Sequence, residues 1–189
     1  KVISHDVERI ERLITDYSQM LKDEASLSRA KMNKINLSNV VSSVVEDFNS
    51  NLLNSKKNIS ISINNSKLNG SKLNVLGVET KLEQILANLL DNAVSFSPPN
   101  GKITVKCGIK QKDAQLIIED EGPGFNEKNI DKIFDRFYSN RPEKFGQHSG
   151  LGLNIVKNII EQHKGSITAS NQANNRKGAR VEVLLPIYN

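Results

Sequence analysis

The sequence of 189 residues predicts an α/β fold: a two-layer sandwich with helices on one face of a mixed β-sheet, preceded by a long amphipathic helix. Three observations predict it. Apolar residues recur at helical spacing over 79–96, apolar and polar residues alternate over 59–64, and several predicted strands follow one another in pairs. Paired strands indicate a mixed sheet and argue against a parallel βαβ fold.

The first element is the amphipathic helix, which we predict over residues 1–22. Its apolar positions are separated by steps of four and three residues, as in the seam of a coiled coil or a helical bundle. A helix packed on the core of its own domain would show a wider apolar stripe, so we favour a dimerisation helix over that alternative. We predict a linker at 23–36 and the sandwich at 37–189. The seam consists of Ile3, Val7, Ile10, Ile14, Tyr17 and Leu21.

The elements of the sandwich follow in chain order. The first helix opens at Leu37, with Ser38 as its predicted N-cap, and ends near Lys57. The later elements are strands over 59–63 and 72–76, a helix over 79–96, a hairpin of strands over 102–109 and 114–119, a helical turn over 129–134, a helix over 151–163, and strands over 166–170 and 180–185.

Composition excludes several classes of function. The net charge is +5, but the basic residues are scattered, so we expect a solvated basic surface and no nucleic-acid binding. Cys107 is the single cysteine, which rules out an intramolecular disulfide, and we predict that it is a half-buried strand residue in a reducing cytoplasm. No stretch approaches the roughly 18 apolar residues of a membrane span. We expect a fragment of a longer protein that itself makes no membrane contact.

Two asparagines form the first polar cluster. Asn88 and Asn92 are four residues apart and therefore lie on one face of the helix predicted over 79–96. Their amide oxygens are suitable ligands for a phosphate-bound Mg²⁺. A polar helix edge that faces solvent is the alternative.

Glycines mark the second and third clusters. Asp120 follows an apolar strand and precedes Gly122 and Gly124, so its carboxylate can accept from an amine while the glycines allow a flat ring to approach. A plain Asp-Gly turn is the alternative. Gly150 and Gly152 run directly into a helix, whose first N–H groups can bind phosphate. The pattern fits neither a P-loop nor a Rossmann fingerprint.

In this order and at this spacing, the clusters resemble the catalytic domain of sensor histidine kinases, within the ATPase group that also holds gyrase, the Hsp90 chaperones and MutL. The helix at 1–22 resembles the second helix of a dimerisation and phosphotransfer hairpin, and segment 145–149 resembles that of ChvG-type kinases. The resemblance covers 37–186, and the matching segments are the N box 86–93, the first glycine box 120–124, the F box 133–138 and the second glycine box 149–153.

The resemblance implies a role for each polar residue. Asn92 would bind Mg²⁺, Asn88 would lie near the phosphates, and Asp120 would accept a hydrogen bond from the adenine amine. Gly122 and Gly124 would let the adenine ring approach. The other ATP-binding residues that the resemblance implies are Tyr138, Ser149, Gly150, Leu151, Gly152 and Leu153.

The chemical step has no assigned residue, only candidates. These are Asn88 and two arginines, Arg136 and Arg141, in the segment 134–149 that the resemblance implies is a lid; a plain surface charge is an equal alternative for both arginines. Gyrase-like ATPases have glutamate where this chain has Asn88, and an amide cannot act as the base for water at neutral pH. The resemblance therefore implies a protein histidine kinase that uses ATP and Mg²⁺ and hydrolyses ATP slowly.

Two positions depart from the pattern of the family. Ser95 stands where many relatives carry a lysine that neutralises phosphate charge. Ala179 follows Gly178, where many relatives have a threonine or serine that supports the aspartate. Water or another residue must then supply that hydrogen bond to Asp120.

Two other functions stay open: a same-fold ATPase or serine kinase, and a module whose nucleotide site has degenerated. The histidine-kinase interpretation implies three partners: the phosphoacceptor hairpin of its own kinase, a second copy in a full-length homodimer, and a response regulator. It also implies a cytoplasmic domain of an inner-membrane protein.

His5 superficially resembles the phosphoacceptor of a kinase H box. In that box a basic residue and then a proline follow, but this chain has Glu8 and Ile10 at those positions. Because Ile10 belongs to the continuous seam, the helix should run straight. We therefore predict that His5 faces solvent and that the acceptor histidine lies outside this chain.

Overall fold

The structure is a computed structural model that describes residues 11, 14–15, 17–18, 21–22, 30–52, 59–64, 73–126, 130–138, 150–173 and 176–188. The predictions for His5, for the helix end near Lys57, and for Arg141 and Ser149 fall outside these residues.

The described elements confirm the predicted α/β fold and most of its predicted boundaries. Helix α2 coincides with the predicted segment, the other predicted elements agree within a few residues where the structure describes them, and β1 was not predicted. In chain order they are β1 (Asn33–Asn36), α1 (Leu37–Leu52), β2 (Ser60–Asn64), β3 (Asn74–Gly77), α2 (Glu79–Phe96), β4 (Lys102–Lys110), β5 (Asp113–Glu119), a 3-10 helix (Ile130–Phe134), α3 (Gly152–Gln162), β6 (Ser166–Asn171) and β7 (Ala179–Pro186).

Five strands form a mixed sheet in the order β2-β4-β5-β7-β6. Strands β2 and β4 are parallel, whereas β4, β5, β7 and β6 pair antiparallel in turn. Strands β1 and β3 form a separate antiparallel pair. Strands β2 and β6 are therefore the two edges of the main sheet, at opposite ends of the fold.

The hydrophobic core lies between the three helices and one face of the sheet. Alternate residues of β4, Ile103, Val105 and Cys107, belong to this core together with the apolar faces of the helices. The half-buried position predicted for Cys107 is wrong, because only 2% of this residue is exposed. Burial raises the pKa of its thiol to about 12, so the side chain packs as a small apolar group.

The opposite face of the sheet carries a network of ion pairs. Arg180 joins Glu119, at 2.8 Å, to Glu182, at 3.1 Å, and Lys106 and Lys110 each pair with one of these glutamates at 2.7 Å. Desolvation by burial opposes ionisation of Glu182. Hydrogen bonds from Lys110, Gln115 and Arg180 outweigh this effect and lower the pKa of Glu182 to about 2.

The N-terminus of α1 differs from the prediction in two respects. The helix begins at Leu37, so Asn36 occupies the cap position and its Oδ1 accepts the Ser38 N–H at 3.1 Å. The prediction of Ser38 as N-cap is therefore wrong by two residues. The last four residues of the predicted linker form β1, which pairs with β3.

The described residues of the opening helix have helical backbone, and all of them except the half-buried Tyr17 are exposed, including Ile14 and Leu21. Tyr17 contacts Phe137 with 6.0 Å between the ring centroids. None of the helices in the described part of the chain is long and apolar enough to span a membrane.

Candidate functional site

Asp120 lies at the end of β5 and is 93% buried, with a relative exposure of 7%. Its Oδ1 accepts two backbone hydrogen bonds, from the Gly122 N–H at 2.8 Å and the Ala179 N–H at 3.2 Å. Burial raises the pKa of the Asp120 carboxyl, while these two bonds oppose the increase. No described residue donates to Oδ2. The backbone N–H of Ala179 bonds to Asp120 although residue 179 has no hydroxyl, and the replacement for that hydroxyl stays a prediction.

The two glycines after Asp120 are required by contacts within the protein. A Cβ on Gly122 would lie 2.8 Å from the Asp120 Oδ1 and 2.9 Å from the Phe96 carbonyl oxygen. Gly124 has φ +78°, a conformation that L-residues with side chains rarely adopt. A side chain at either position would therefore displace the loop that carries Asp120.

Helices α2 and α3 bring the asparagine cluster and the second glycine cluster together. A Cβ on Gly152, the first residue of α3, would lie 3.8 Å from the Asn88 Oδ1. Leu151 occupies the N-cap position and makes no side-chain capping bond, so its own side chain does not compete for the first N–H groups of α3. Asn92 lies one turn along α2 from Asn88, and both are half-buried.

His163 joins the C-terminal end of α3 to the N-terminus of α2. It follows α3, is buried, and accepts the Val78 N–H on Nε2 at 3.2 Å, while Nδ1 lies 2.7 Å from the Ile159 carbonyl oxygen. Since Nε2 accepts, the ring is neutral and Nδ1 carries the proton. Desolvation by burial lowers the pKa of His163, against the opposing effect of the Ile159 carbonyl.

The F box packs beside the second glycine box. A Cβ on Gly150, which has φ +72°, would lie 2.9 Å from the Tyr138 carbonyl oxygen. Phe134 is buried, and its carbonyl oxygen accepts a 2.9 Å hydrogen bond from the Asn154 amide on α3. Phe137 is 52% exposed. Arg136 lies on the surface, where it can equally be a plain surface charge.

The predicted residues thus fall into three groups. Asp120, Gly122 and Gly124 share one loop, Asn88 lies next to Gly152, and Tyr138 lies next to Gly150. Leu151 is buried at the start of α3, and Leu153 lies in its first turn.

Sequence reasoning missed several residues that hold these groups in place. They are Asn154, His163, Asn171 and Gln172, together with the backbone N–H of Ala179. Their only signal in the sequence is a polar side chain at the end or on the buried face of an element, and many solvent-facing residues share that signal.

A family model for histidine kinase-, DNA gyrase B- and HSP90-like ATPases matches residues 77–189. The sensor protein ChvG of Rhizobium meliloti (strain 1021) is 38% identical over 193 aligned residues, which cover 98% of this chain and 33% of ChvG. The chain therefore spans about a third of the length of this relative.

Solved structures share the fold. The catalytic domain of histidine kinase ThkA is 26% identical, with a TM-score of 0.71 over 84% of this chain and 97% of that domain. A crystal structure of ThkA in complex with the response regulator protein TrrA has a TM-score of 0.74 at 23% identity, over 99% of this chain and 50% of that chain. The second likeness is one of fold alone.

Proposed function

Because this chain belongs to the family of histidine kinase-, DNA gyrase B- and HSP90-like ATPases, we propose that it is the ATP-binding catalytic part of a sensor histidine kinase. In this proposal residues 37–189 bind ATP and transfer its γ-phosphate to a histidine outside the chain. Residues 23–36 connect this domain to the second helix of the dimerisation and phosphotransfer hairpin at 1–22.

The single observation that carries the proposal is the state of the Asp120 carboxylate. One oxygen already accepts two backbone N–H groups, and no described residue donates to the other. The Oδ2 therefore keeps an unused acceptor among the described residues, and the exocyclic amine of adenine supplies a donor for it. Guanine has a carbonyl oxygen at the same ring position. That oxygen and the Asp120 Oδ2 are both acceptors and would repel each other. The site is therefore expected to prefer ATP to GTP.

The phosphates fit the N-terminus of α3. The N–H groups of Gly150, Leu151 and Gly152 lie where the helix dipole favours negative charge, and Asn88 lies beside them on α2. Tyr138, Ser149 and Leu153 would flank this phosphate site, as the family resemblance implies.

Asn92 is the residue that we assign to Mg²⁺. It shares a helix face with Asn88, and its amide oxygen is a hard donor of the kind that Mg²⁺ accepts. Among the described residues, no group of three or more His, Cys, Asp or Glu side chains is placed to hold a metal ion. The Asn92 amide would offer a neutral oxygen, and Mg²⁺ would neutralise charge on the phosphates when bound.

In the transfer step, an imidazole nitrogen of the acceptor histidine forms a bond to the γ-phosphorus. The bond from that phosphorus to the β–γ bridging oxygen breaks, and its electron pair leaves with ADP. The chain contributes by position and charge: α3 holds the phosphates in line with the acceptor, and Arg136 or Arg141 would neutralise the charge that develops.

Asn88 favours transfer over hydrolysis. Its amide cannot take a proton from water at neutral pH, so no base at this position activates a water molecule. Slow hydrolysis of ATP is therefore part of the proposal, which distinguishes it from a same-fold ATPase.

The proposed partners are the acceptor hairpin of the same kinase, a second copy in the full-length homodimer, and a response regulator. ThkA is seen in complex with the response regulator protein TrrA, which supports the last of these by likeness of fold. The proposed location is the cytoplasmic side of an inner membrane, with no membrane contact by this chain.

Titration with nucleotide tests the proposal. The chain should bind ATP more tightly than GTP, and Asp120→Asn should lower ATP affinity at least about tenfold, because the Asn amide can turn a donor toward the adenine amine. The thermal transition without nucleotide should stay nearly the same, which shows that the fold survives the change. Unaltered ATP affinity in Asp120→Asn would remove this residue from the site, and no ATP binding by the natural chain would refute the proposed function.

A further inference from the structure

Two side-chain amides at the end of β6 hold the loop at 120–125. Asn171 bonds to both backbone groups of Phe125: its Oδ1 accepts the Phe125 N–H at 2.6 Å, and its Nδ2 donates to the Phe125 carbonyl at 3.0 Å. The next residue, Gln172, donates from Nε2 to the Asp120 carbonyl at 2.6 Å. We call Asn171 and Gln172 the amide pair.

The amide pair holds both ends of this loop. At the first end, Gln172 acts together with the backbone of Ala179, which accepts the Asp120 N–H at 3.1 Å. At the far end, Asn171 is the described residue that bonds to the backbone of Phe125. Between these two ends lie residues 121–124, so the direction of the Asp120 side chain depends on both attachments.

The glycines beside the loop make room for the amide pair. A Cβ on Gly124 would lie 2.6 Å from the Asn171 Oδ1, so a larger residue at 124 would push Asn171 away from Phe125. Gly178 has φ +129°, and a Cβ there would overlap the Asp120 carbonyl oxygen that Gln172 binds. Two glycines of the family motifs therefore serve this attachment.

We propose that Asn171 is a positioning residue for adenine recognition: by fixing Phe125, it holds the loop so that the Asp120 Oδ2 faces the amine of the base. This inference rests on the proposed function, because it assumes that Asp120 reads adenine. Asn171 itself need not touch the nucleotide. Gln172 supports the same loop from the Asp120 end.

The Asn171 bonds lie at the exposed edge of the sheet, outside the hydrophobic core. Exposed hydrogen bonds of this kind add little to the stability of a whole fold. Loss of these bonds should therefore disorder the loop and lower the preference for ATP over GTP. It should lower the stability of the whole domain much less.

Asn49 provides a matched control within the same chain. Its amide also bonds to both backbone groups of one residue: Nδ2 donates to the Ile61 carbonyl at 3.0 Å, and Oδ1 accepts the Ile61 N–H at 3.2 Å. Ile61 lies on β2, at the sheet edge opposite to β6. Asn49→Ala thus removes the same chemistry far from the loop at 120–125.

The experiment measures ATP and GTP affinity and the thermal transition in the natural chain, Asn171→Ala and Asn49→Ala. Asn171→Ala should lose about tenfold in ATP affinity through its two lost hydrogen bonds, with GTP affinity unchanged, so that the ATP-to-GTP preference falls about tenfold. Asn49→Ala should keep the natural preference, although its thermal transition falls at least as far. Gln172→Ala should also lower the preference for ATP over GTP. This variant replaces Asn171→Ala in the test if Asn171→Ala does not fold.

Three results separate the inference from the proposed function. A natural preference for ATP in the folded Asn171→Ala variant, or in Gln172→Ala if the first does not fold, would overturn the inference and leave the proposed function intact. An equal loss of preference in Asn49→Ala would also overturn it, because the effect would then be one of general stability. Failure of the natural chain to bind ATP would remove the proposed function and this inference with it.

Discussion

Asp120 and Asn92, two of the side chains proposed for this site, carry no positive charge, although the proposed ligand is highly negative. The Asp120 carboxylate is held by N–H groups from Gly122 and Ala179, so its orientation does not depend on a threonine or serine at 179. Ser95 stands where many relatives carry lysine, so the α3 N-terminus, Mg²⁺ and the candidate Arg136 or Arg141 would neutralise the phosphate charge without that lysine. The contribution of Mg²⁺ to ATP affinity should therefore be large in this chain.

Asn92→Ala tests how strongly ATP affinity depends on Mg²⁺. If the amide oxygen is a ligand of Mg²⁺, the variant should lose about tenfold in ATP affinity with Mg²⁺ present and little with Mg²⁺ removed by a chelator. Isothermal titration in both buffers measures the two affinities. Asn49→Ala, which changes an amide far from the site, should keep both. Equal losses with and without Mg²⁺ would make Asn92 a structural residue.

Helices α2 and α3 lie antiparallel and approach each other at both ends of α3, the shorter helix. Asn88 lies beside Gly152 at the end with the proposed phosphate site, and His163 bonds to the Val78 N–H at the other end. A Cβ on Gly77 would lie 2.8 Å from the His163 ring, so the close approach of these ends requires glycine. The His163 hydrogen bond requires a neutral ring, because a protonated ring has no acceptor to offer.

The pH dependence of stability tests the neutral state of His163. Burial lowers the pKa of His163 in the folded chain. As the pH falls below the ordinary value of 6.5, the unfolded chain therefore binds the proton before the folded chain does, and the free energy of unfolding decreases. One such group costs at most about 1.4 kcal/mol per pH unit. Denaturant titrations between pH 7.5 and about 5.5 should show a smaller loss in His163→Gln, whose amide keeps an acceptor but does not titrate.

This pH window separates His163 from the paired carboxylates. Glu182 has its pKa lowered to about 2, so its contribution is present above the ordinary value of 4.5 and is lost only as the pH falls below it. The other histidines are the same in both proteins. Identical pH profiles of the natural chain and His163→Gln would show that His163 does not carry the acid sensitivity.

Periodicity predicted the regular elements well and the attachments between them poorly. Helix α2 was predictable to the residue because its apolar positions recur every three to four residues up to a Pro-Pro-Asn-Gly stop. Strand β1 was missed because Asn33–Asn36 is short and polar, with Ile35 as its one buried apolar residue. Its pairing with β3 depends on residues some 40 positions away, which no local pattern reveals.

The same distinction applies to the candidate site. Asp120, Asn88 and the glycines stand in local motifs, so the sequence alone assigned roles to them through the family resemblance. Asn171 bonds to a residue 46 positions earlier, and His163 to one 85 positions earlier. Such contacts form only when the sheet and the helices assemble. They therefore cannot be predicted from local patterns in a single sequence.

The molecule as a whole combines the proposed nucleotide site with an opening helix whose seam residues Ile14 and Leu21 are exposed. Tyr17 of the same seam contacts Phe137 at the end of the F box. If the seam forms the proposed bundle with a hairpin helix and a second copy, the acceptor histidine must be brought to the ATP from outside this chain. The chain alone would then be a kinase without its own substrate.

Transfer of labelled phosphate tests this division of the kinase. Incubated with labelled ATP and Mg²⁺, the chain should acquire no acid-labile phosphate, because Glu8 and Ile10 replace the basic residue and the proline expected after a phosphoacceptor. It should phosphorylate a separately supplied hairpin from its own full-length kinase, and that product should be acid-labile and stable in base, as expected for phosphohistidine. Asp120→Asn should label the hairpin far more slowly, which ties the label to the proposed site. Acid-labile label on the chain itself that disappears in His5→Gln would contradict the prediction, since it would place the acceptor within residues 1–22.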